Sequence, residues 1–237
     1  MAFFKNLFVK TPKTIKTGVH CPAIFIPGSS AGKNRFDLTF KMMNINPKNV
    51  LKLVVNSNKV ISTTGVFKGY VVIAFENNRD GYENIKEQAR LLDAAFAYLV
   101  SRFDFEEFNA VGHSNGGLNW TIFLEKYFGN YDKTVLNLVT IGTPFNLDRK
   151  DGKKTPMLID LIREKNNIPK NLRVHAIAGL DDGIVANRSA WASKDIFYKT
   201  VADFTELNVS GLTSYHSALP QNQLIVDSLT SILRIPQ

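Results

Sequence analysis

The chain is poor in the residues that build covalent or metal-held scaffolds. Its 237 residues include one cysteine, Cys21, which excludes an intrachain disulfide framework and a cysteine-based zinc site. A lone cysteine fits the cytoplasm, and equally the exported bacterial proteins that carry no disulfides. There are four histidines, His20, His113, His175 and His216, so candidates for a proton-transfer base are few. No apolar run approaches the 18 or so residues that a membrane span requires. A signal-peptide core is missing too: in "MAFFKNLFVKTPKTIKTG" lysines at 5, 10, 13 and 16 interrupt every apolar stretch. Repeats, low-complexity tracts and interdomain linkers are absent. With 44% hydrophobic residues, the sequence therefore reads as one domain, residues 1–237, with a sizeable core.

What is present in excess is positive charge, 29 Lys and Arg against 21 Asp and Glu, or +8 net. The basic residues are scattered, without the Lys/Arg runs or interleaved aromatics of a nucleic-acid binder. Nucleic acid is therefore not expected as a partner. A solvated basic surface is, with at most weak attraction to anionic membrane or cell-wall surfaces.

Short apolar runs alternate with segments of helical period. "AIFI" (23–26) predicts a buried strand, with a helix following over about 34–43. "VLKLVVN" and "KVISTTG" predict a small β-hairpin near 50–66, and "YVVIAFE" (70–76) another core strand. Ile85, Ala89, Leu92, Phe96, Leu99 and Phe103 recur every three or four residues, one apolar stripe on a helix. "EFNAVG", "VLNLVTIG", "RVHAIAG" (173–179) and a stretch within 199–209 supply further strands. A helix is expected at "GGLNWTIFLEKYFG" and another over about 221–233. Such alternation predicts an α/β fold, a largely parallel sheet with helices on both faces. Its site would lie beyond the carboxyl ends of the strands.

One pentad sits where such a site would form. "FNAVGHSNGGLNW" (108–120) contains Gly112-His113-Ser114-Asn115-Gly116 between a strand and a helix. By composition alone a Gly-x-Ser-x-Gly pentad turns up in roughly one chain in ten of this length, so the placement is what counts. A strand-to-helix turn is where a nucleophile elbow belongs, with glycines on either side to permit the sharp bend. Gly117 lets the helix pack closely, and the helix N-terminus favours negative charge beside the hydroxyl. The duller alternative is a Gly-rich turn with an incidental serine.

A serine nucleophile needs a base, and in this fold the chain order is Ser, acid, His. His216, in "TSYHSALPQN", is the one histidine late enough; His175 reads as packed core, and the side chain of His113 should diverge from the hydroxyl. The acid is sought after the strand 173–179, where Asp181 and Asp182 are adjacent in a Gly-bounded loop and either carboxylate could hold the imidazole. Paired aspartates can also bind calcium, but too few further oxygen ligands lie nearby, so no metal is expected. For an oxyanion hole, Asn115 offers the N–H after the nucleophile and Ser29, in "IPGSSAG" (26–32), the second donor. No cofactor is called for.

At this point the chain resembles the α/β-hydrolase superfamily, and within it a lipase-like group of Gram-positive bacteria labelled cell-surface hydrolases. The resemblance is carried by "AIFIPGSSA", "LKLVVNSNKVISTTG", "VVIAFENNRD", "FNAVGHSNGGL", "VTIGTPFN", "DDGIV" and "HSALPQN", spread over residues 23–222. It implies a Ser114, Asp182, His216 triad and an esterase-like activity on a small-molecule ester. One departure is visible: this chain has Pro27-Gly28 where those enzymes usually carry His-Gly. Between "GTPFN" and residue 173, Met157, Leu158, Leu161 and Ile162 form a short apolar face, either an ordinary covering helix or a small cap over the serine near 146–170. The expected function is a serine hydrolase cleaving carboxylic esters. A thioesterase or amidase would use the same residues, and a binding module that kept the fold without turnover is the alternative outside enzymes.

Overall fold

The computed structural model describes residues 14–147 and 151–233. The lysines at 5, 10 and 13 and part of the expected cap segment lie outside them. Eight strands form one sheet: β1 (Ala23–Ile26), β2 (Leu51–Val55), β3 (Ile61–Thr64), β4 (Tyr70–Phe75), β5 (Glu107–His113), β6 (Thr134–Ile141), β7 (Arg173–Gly179) and β8 (Asp203–Val209). Their spatial order is β3-β2-β4-β1-β5-β6-β7-β8, and only the β2–β3 hairpin is antiparallel. The helices are α1 (Asp37–Met42), α2 (Tyr82–Arg102), α3 (Asn115–Lys126), α4 (Pro156–Glu164), α5 (Asn187–Ala190), α6 (Lys194–Phe197) and α7 (Gln223–Leu233). This is the expected α/β-hydrolase architecture. The hairpin is not a separate appendage: β2 pairs with β4 and makes the hairpin the edge of the main sheet.

Each parallel strand is apolar on both sides because both faces are covered, as helix crossovers demand. Along β1, Ile24 and Ile26 enter one core and Ala23 and Phe25 the other. The first core holds α2, α3, Phe96, Phe108, Trp120 and Phe123; the second holds α1, α7, Phe36, Phe40, Val139 and Leu229. The predicted stripe of α2 is its buried face, with Leu92, Phe96 and Leu99 fully enclosed.

Strand order reverses around β1, which has β4 on one side and β5 on the other. The chain leaving β1 feeds α1 on one face of the sheet, whereas the chain leaving β5 feeds α3 on the other. Diverging connections open a crevice at the carboxyl ends of these strands.

Two expectations need correction or refinement. His175 is not packed among apolar side chains. It is half-buried, with Nδ1 2.9 Å from Thr205 Oγ1 and Nε2 3.3 Å from Asn137 Oδ1, because polar residues occupy adjoining positions across β6, β7 and β8. The apolar face at 157–162 belongs to α4, and Met157, Leu158 and Leu161 join the first core beside α3. Packing thus anchors α4 as a covering helix, and its first residues, Pro156 and Met157, line an apolar pocket beside the crevice.

Candidate active site

Ser114 stands between β5 and α3 with φ 54° and ψ −129°, a conformation sparsely populated by L-residues. The tight packing of the turn holds it there. The Ser114 N–H donates to the Ile141 carbonyl at 2.9 Å, and a Cβ at Gly116 would lie 2.1 Å from the Ile26 carbonyl oxygen. The hydroxyl therefore projects from the elbow into the crevice. It donates to His216 Nε2 at 3.0 Å, and His216 Nδ1–H in turn donates to Asp182 Oδ2 at 2.9 Å. All three side chains are buried.

The acid is held as firmly as the serine. Asp182 Oδ1 accepts the N–H groups of Val185 at 2.6 Å and Ile184 at 3.1 Å, leaving Oδ2 for the imidazole. The backbone pairs in the same direction, His216 N–H to Asp182 C=O at 2.8 Å. Asp181 turns the other way and accepts from the Ser214 hydroxyl at 3.1 Å. A carboxylate on Nδ1–H keeps the lone pair on Nε2, facing the serine, which is the tautomer a general base needs.

Above the serine is a cavity of about 570 Å³ whose walls include Ser29, Asn115, Arg35, Leu147 and Ile184. The loop after β1 passes so close that a Cβ at Gly28 would sit 2.5 Å from Ser114 Cβ. Ser29 and Asn115 thus reach the same cavity from opposite sides of the switch point, with Pro27 in place of histidine. Asn115 is the first residue of α3, where backbone N–H groups have no intrahelical partner.

This geometry stands alongside a match of residues 10–234 to the family described as "alpha/beta hydrolase of unknown function (DUF915)". The chain belongs to that family. It is similar to the crystal structure of a candidate cell surface hydrolase from Lactobacillus plantarum WCFS1. Identity to that protein is 39% and the TM-score 0.82, over 92% of this chain and 93% of the other. A Listeria innocua gene product gives 27% identity and a TM-score of 0.80, over 92% and 96%. The Bacillus licheniformis lipase BlEst2, at 13% identity and TM-score 0.55 over 94% and 96%, shares the fold alone. No curated protein matches.

Sequence reasoning missed four residues of this hydrolase site. His113 does diverge from the Ser114 hydroxyl, but it lies against His216, ring centroids 4.9 Å apart, and its Nε2–H donates to the His216 carbonyl at 3.0 Å. Its burial and the charge of Arg35 hold its pKa well below the usual histidine value, so it is a neutral support. Arg35 Nη2 donates to the next carbonyl, that of Ser217, at 2.6 Å. Asp80 Oδ1 accepts from the Asn115 side-chain amide at 2.8 Å and from Gly81 N–H at 2.7 Å, fixing the residue after the elbow. Gly142, with φ 54°, passes beneath the acid–imidazole pair, where a Cβ would stand 3.1 Å from Asp182 Oδ2. Gly142, His113 and Asp80 lie within stretches that carry the family resemblance, "VTIGTPFN", "FNAVGHSNGGL" and "VVIAFENNRD", whereas Arg35 lies outside all of them. Among the described residues no group of three or more His, Cys, Asp or Glu is placed to hold a metal ion.

Proposed function

We propose that this hydrolase cleaves carboxylic esters through an acyl-enzyme on Ser114. The observation that carries the reading is the continuous hydrogen-bonded chain from Asp182 through His216 to Ser114, opening into a cavity large enough for a small organic ester. Ser114 Oγ attacks the ester carbonyl while its proton passes to His216 Nε2. A C–O bond forms, the carbonyl π pair moves to oxygen, and the N–H groups of Ser29 and Asn115 receive the resulting oxyanion. Collapse breaks the bond to the alcohol, which takes the proton from Nε2. Water then repeats the sequence on the acyl-enzyme, with His216 again as base, and releases the acid. Asp182 keeps the imidazole oriented and stabilises its cationic form throughout.

The test pairs a fluorophosphonate probe with a panel of p-nitrophenyl esters. Wild type should be labelled at Ser114 and turn over at least one ester, and Ser114→Ala should lose about 10⁴- to 10⁶-fold in turnover while folding normally. Activity of Ser114→Ala within about tenfold of wild type, with contamination excluded, sinks the reading. Labelling without turnover of any ester, thioester or amide would favour a binding module of hydrolase fold.

A further inference from the structure

The two ends of the cavity above Ser114 differ in chemistry. One end runs past Pro144 and Leu147 into an adjoining apolar pocket of about 260 Å³, walled by Tyr82, Ile85, Leu118 and Met157. Asp80 stands at the junction, engaged by Asn115 and Gly81, and its charge disfavours an anion entering the apolar end. The other end is bounded by the loop after β1 and by Arg35.

Arg35 is half-buried, and among the described residues no carboxylate lies within ion-pair distance of its guanidinium. Burial pushes its pKa down, and among the described residues no neighbouring acid opposes that effect. A partly desolvated cation on a cavity wall is well placed to take up an anion from a ligand, because the pair interacts more strongly there than in open water. The bond to the Ser217 carbonyl occupies one of five N–H groups. Among the described residues no other hydrogen bond engages the fork, which suits a carboxylate or phosphate in geometry.

The direction of the chemistry assigns the two ends. His216 delivers its proton to the departing alcohol, so the alcohol leaves on the histidine side of the serine. Arg35, bonded beside His216 at Ser217, is on that side. The apolar pocket shares Asn115, Pro144 and Leu147 with the main cavity but neither His216 nor Arg35, which places it on the acyl side. We propose that the site takes esters that join an apolar acyl group to an alcohol bearing an anion, with Arg35 as the specificity-determining residue for that anion. The inference rests on the serine-hydrolase reading above.

The experiment compares meta-carboxyphenyl butyrate with meta-carbamoylphenyl butyrate, two esters of nearly equal shape that differ in charge on the alcohol. Each kcat/KM is divided by the rate with hydroxide to remove intrinsic reactivity. Wild type should favour the carboxylate ester by about 10-fold or more, the worth of a charge-assisted hydrogen bond. The preference should shrink as salt is raised. Arg35→Gln should erase it, chiefly through KM for the anionic ester, and Arg35→Lys should restore part of it. Inorganic phosphate should compete with the anionic ester in wild type, which tests the subsite even if the variants fold poorly. The inference is overturned if wild type hydrolyses both esters without preference. It is also overturned if Arg35→Gln depresses both equally, which would make Arg35 a support for the His216 segment or the oxyanion. If neither ester is cleaved and the fluorophosphonate leaves Ser114 unlabelled, the hydrolase reading fails and this inference with it.

Discussion

Glu125 gives the sharpest test of how packing sets chemistry in this molecule. It lies near the end of α3, 4% exposed, and neither carboxyl oxygen has a hydrogen-bond partner among the described residues. Burial, together with Asp160 and Glu164 on α4, outweighs the attraction of adjacent Lys126 and pushes its pKa from 4.5 up to about 9. The folded protein thus keeps a proton that the unfolded chain releases above pH 4.5, so stability falls as pH rises between 4.5 and 9. At about 1.4 kcal/mol per pH interval of one, the loss reaches about 3 kcal/mol by pH 7 as an upper bound. Glu125→Gln removes the titration but keeps shape and polarity. Its unfolding free energy should match wild type near pH 4.5 and exceed it by about 2–3 kcal/mol at pH 7. For a chain of this length that is a Tm gain of about 4–12 °C. Paired thermal melts from pH 5 to pH 8.5 measure the difference directly. A Tm gap that stays constant across that range would show that Glu125 is ionised in the folded state, and the reasoning from burial would be refuted.

Other perturbations address the site itself. Asp182→Asn should lower turnover by about 10⁴-fold through the wrong imidazole tautomer, whereas Asp181→Asn should cost less than about tenfold; equal losses in steady-state kinetics would contradict the assignment within the pair. His113→Phe keeps a ring beside His216 but removes the donor to its carbonyl, and kcat should fall by about 10- to 100-fold as the base loses alignment. Because a positioning role acts through His216, the acid limb of the pH–kcat profile should move as well; an unshifted profile with unchanged kcat would reduce His113 to packing. Gly142→Ala places a Cβ 2.7 Å from Leu219 Cδ1 and 3.1 Å from Asp182 Oδ2, so it should impair turnover more than it lowers Tm. A variant with wild-type kcat would show that the acid–imidazole pair tolerates the intrusion.

Much of this protein is written in local patterns. The alternation of short apolar runs with helical periods sets the α/β class, since period and strand length are properties of neighbouring residues. The glycines around Ser114 mark an elbow because a sharp, strained turn excludes side chains wherever it occurs. Chain order selects His216, the late histidine. Other assignments depended on contacts between distant segments. Asp181 and Asp182 carry the same carboxylate, and in sequence only the family resemblance favoured Asp182; in the fold the Asp182 carboxylate meets two amides and the imidazole while Asp181 meets Ser214. His113 reads as a bystander until a partner 103 positions away rests its carbonyl on the ring. Glu125, in "FLEKYF", has the pattern of a solvated helix residue, yet it is enclosed where acidic groups of α4 approach. Arg35 looks like one of many scattered basic residues, and only the cavity wall distinguishes it. In each case the local sequence sets the residue's chemistry, but burial and partners set its charge state and reach, and those exist only once the chain has closed on itself.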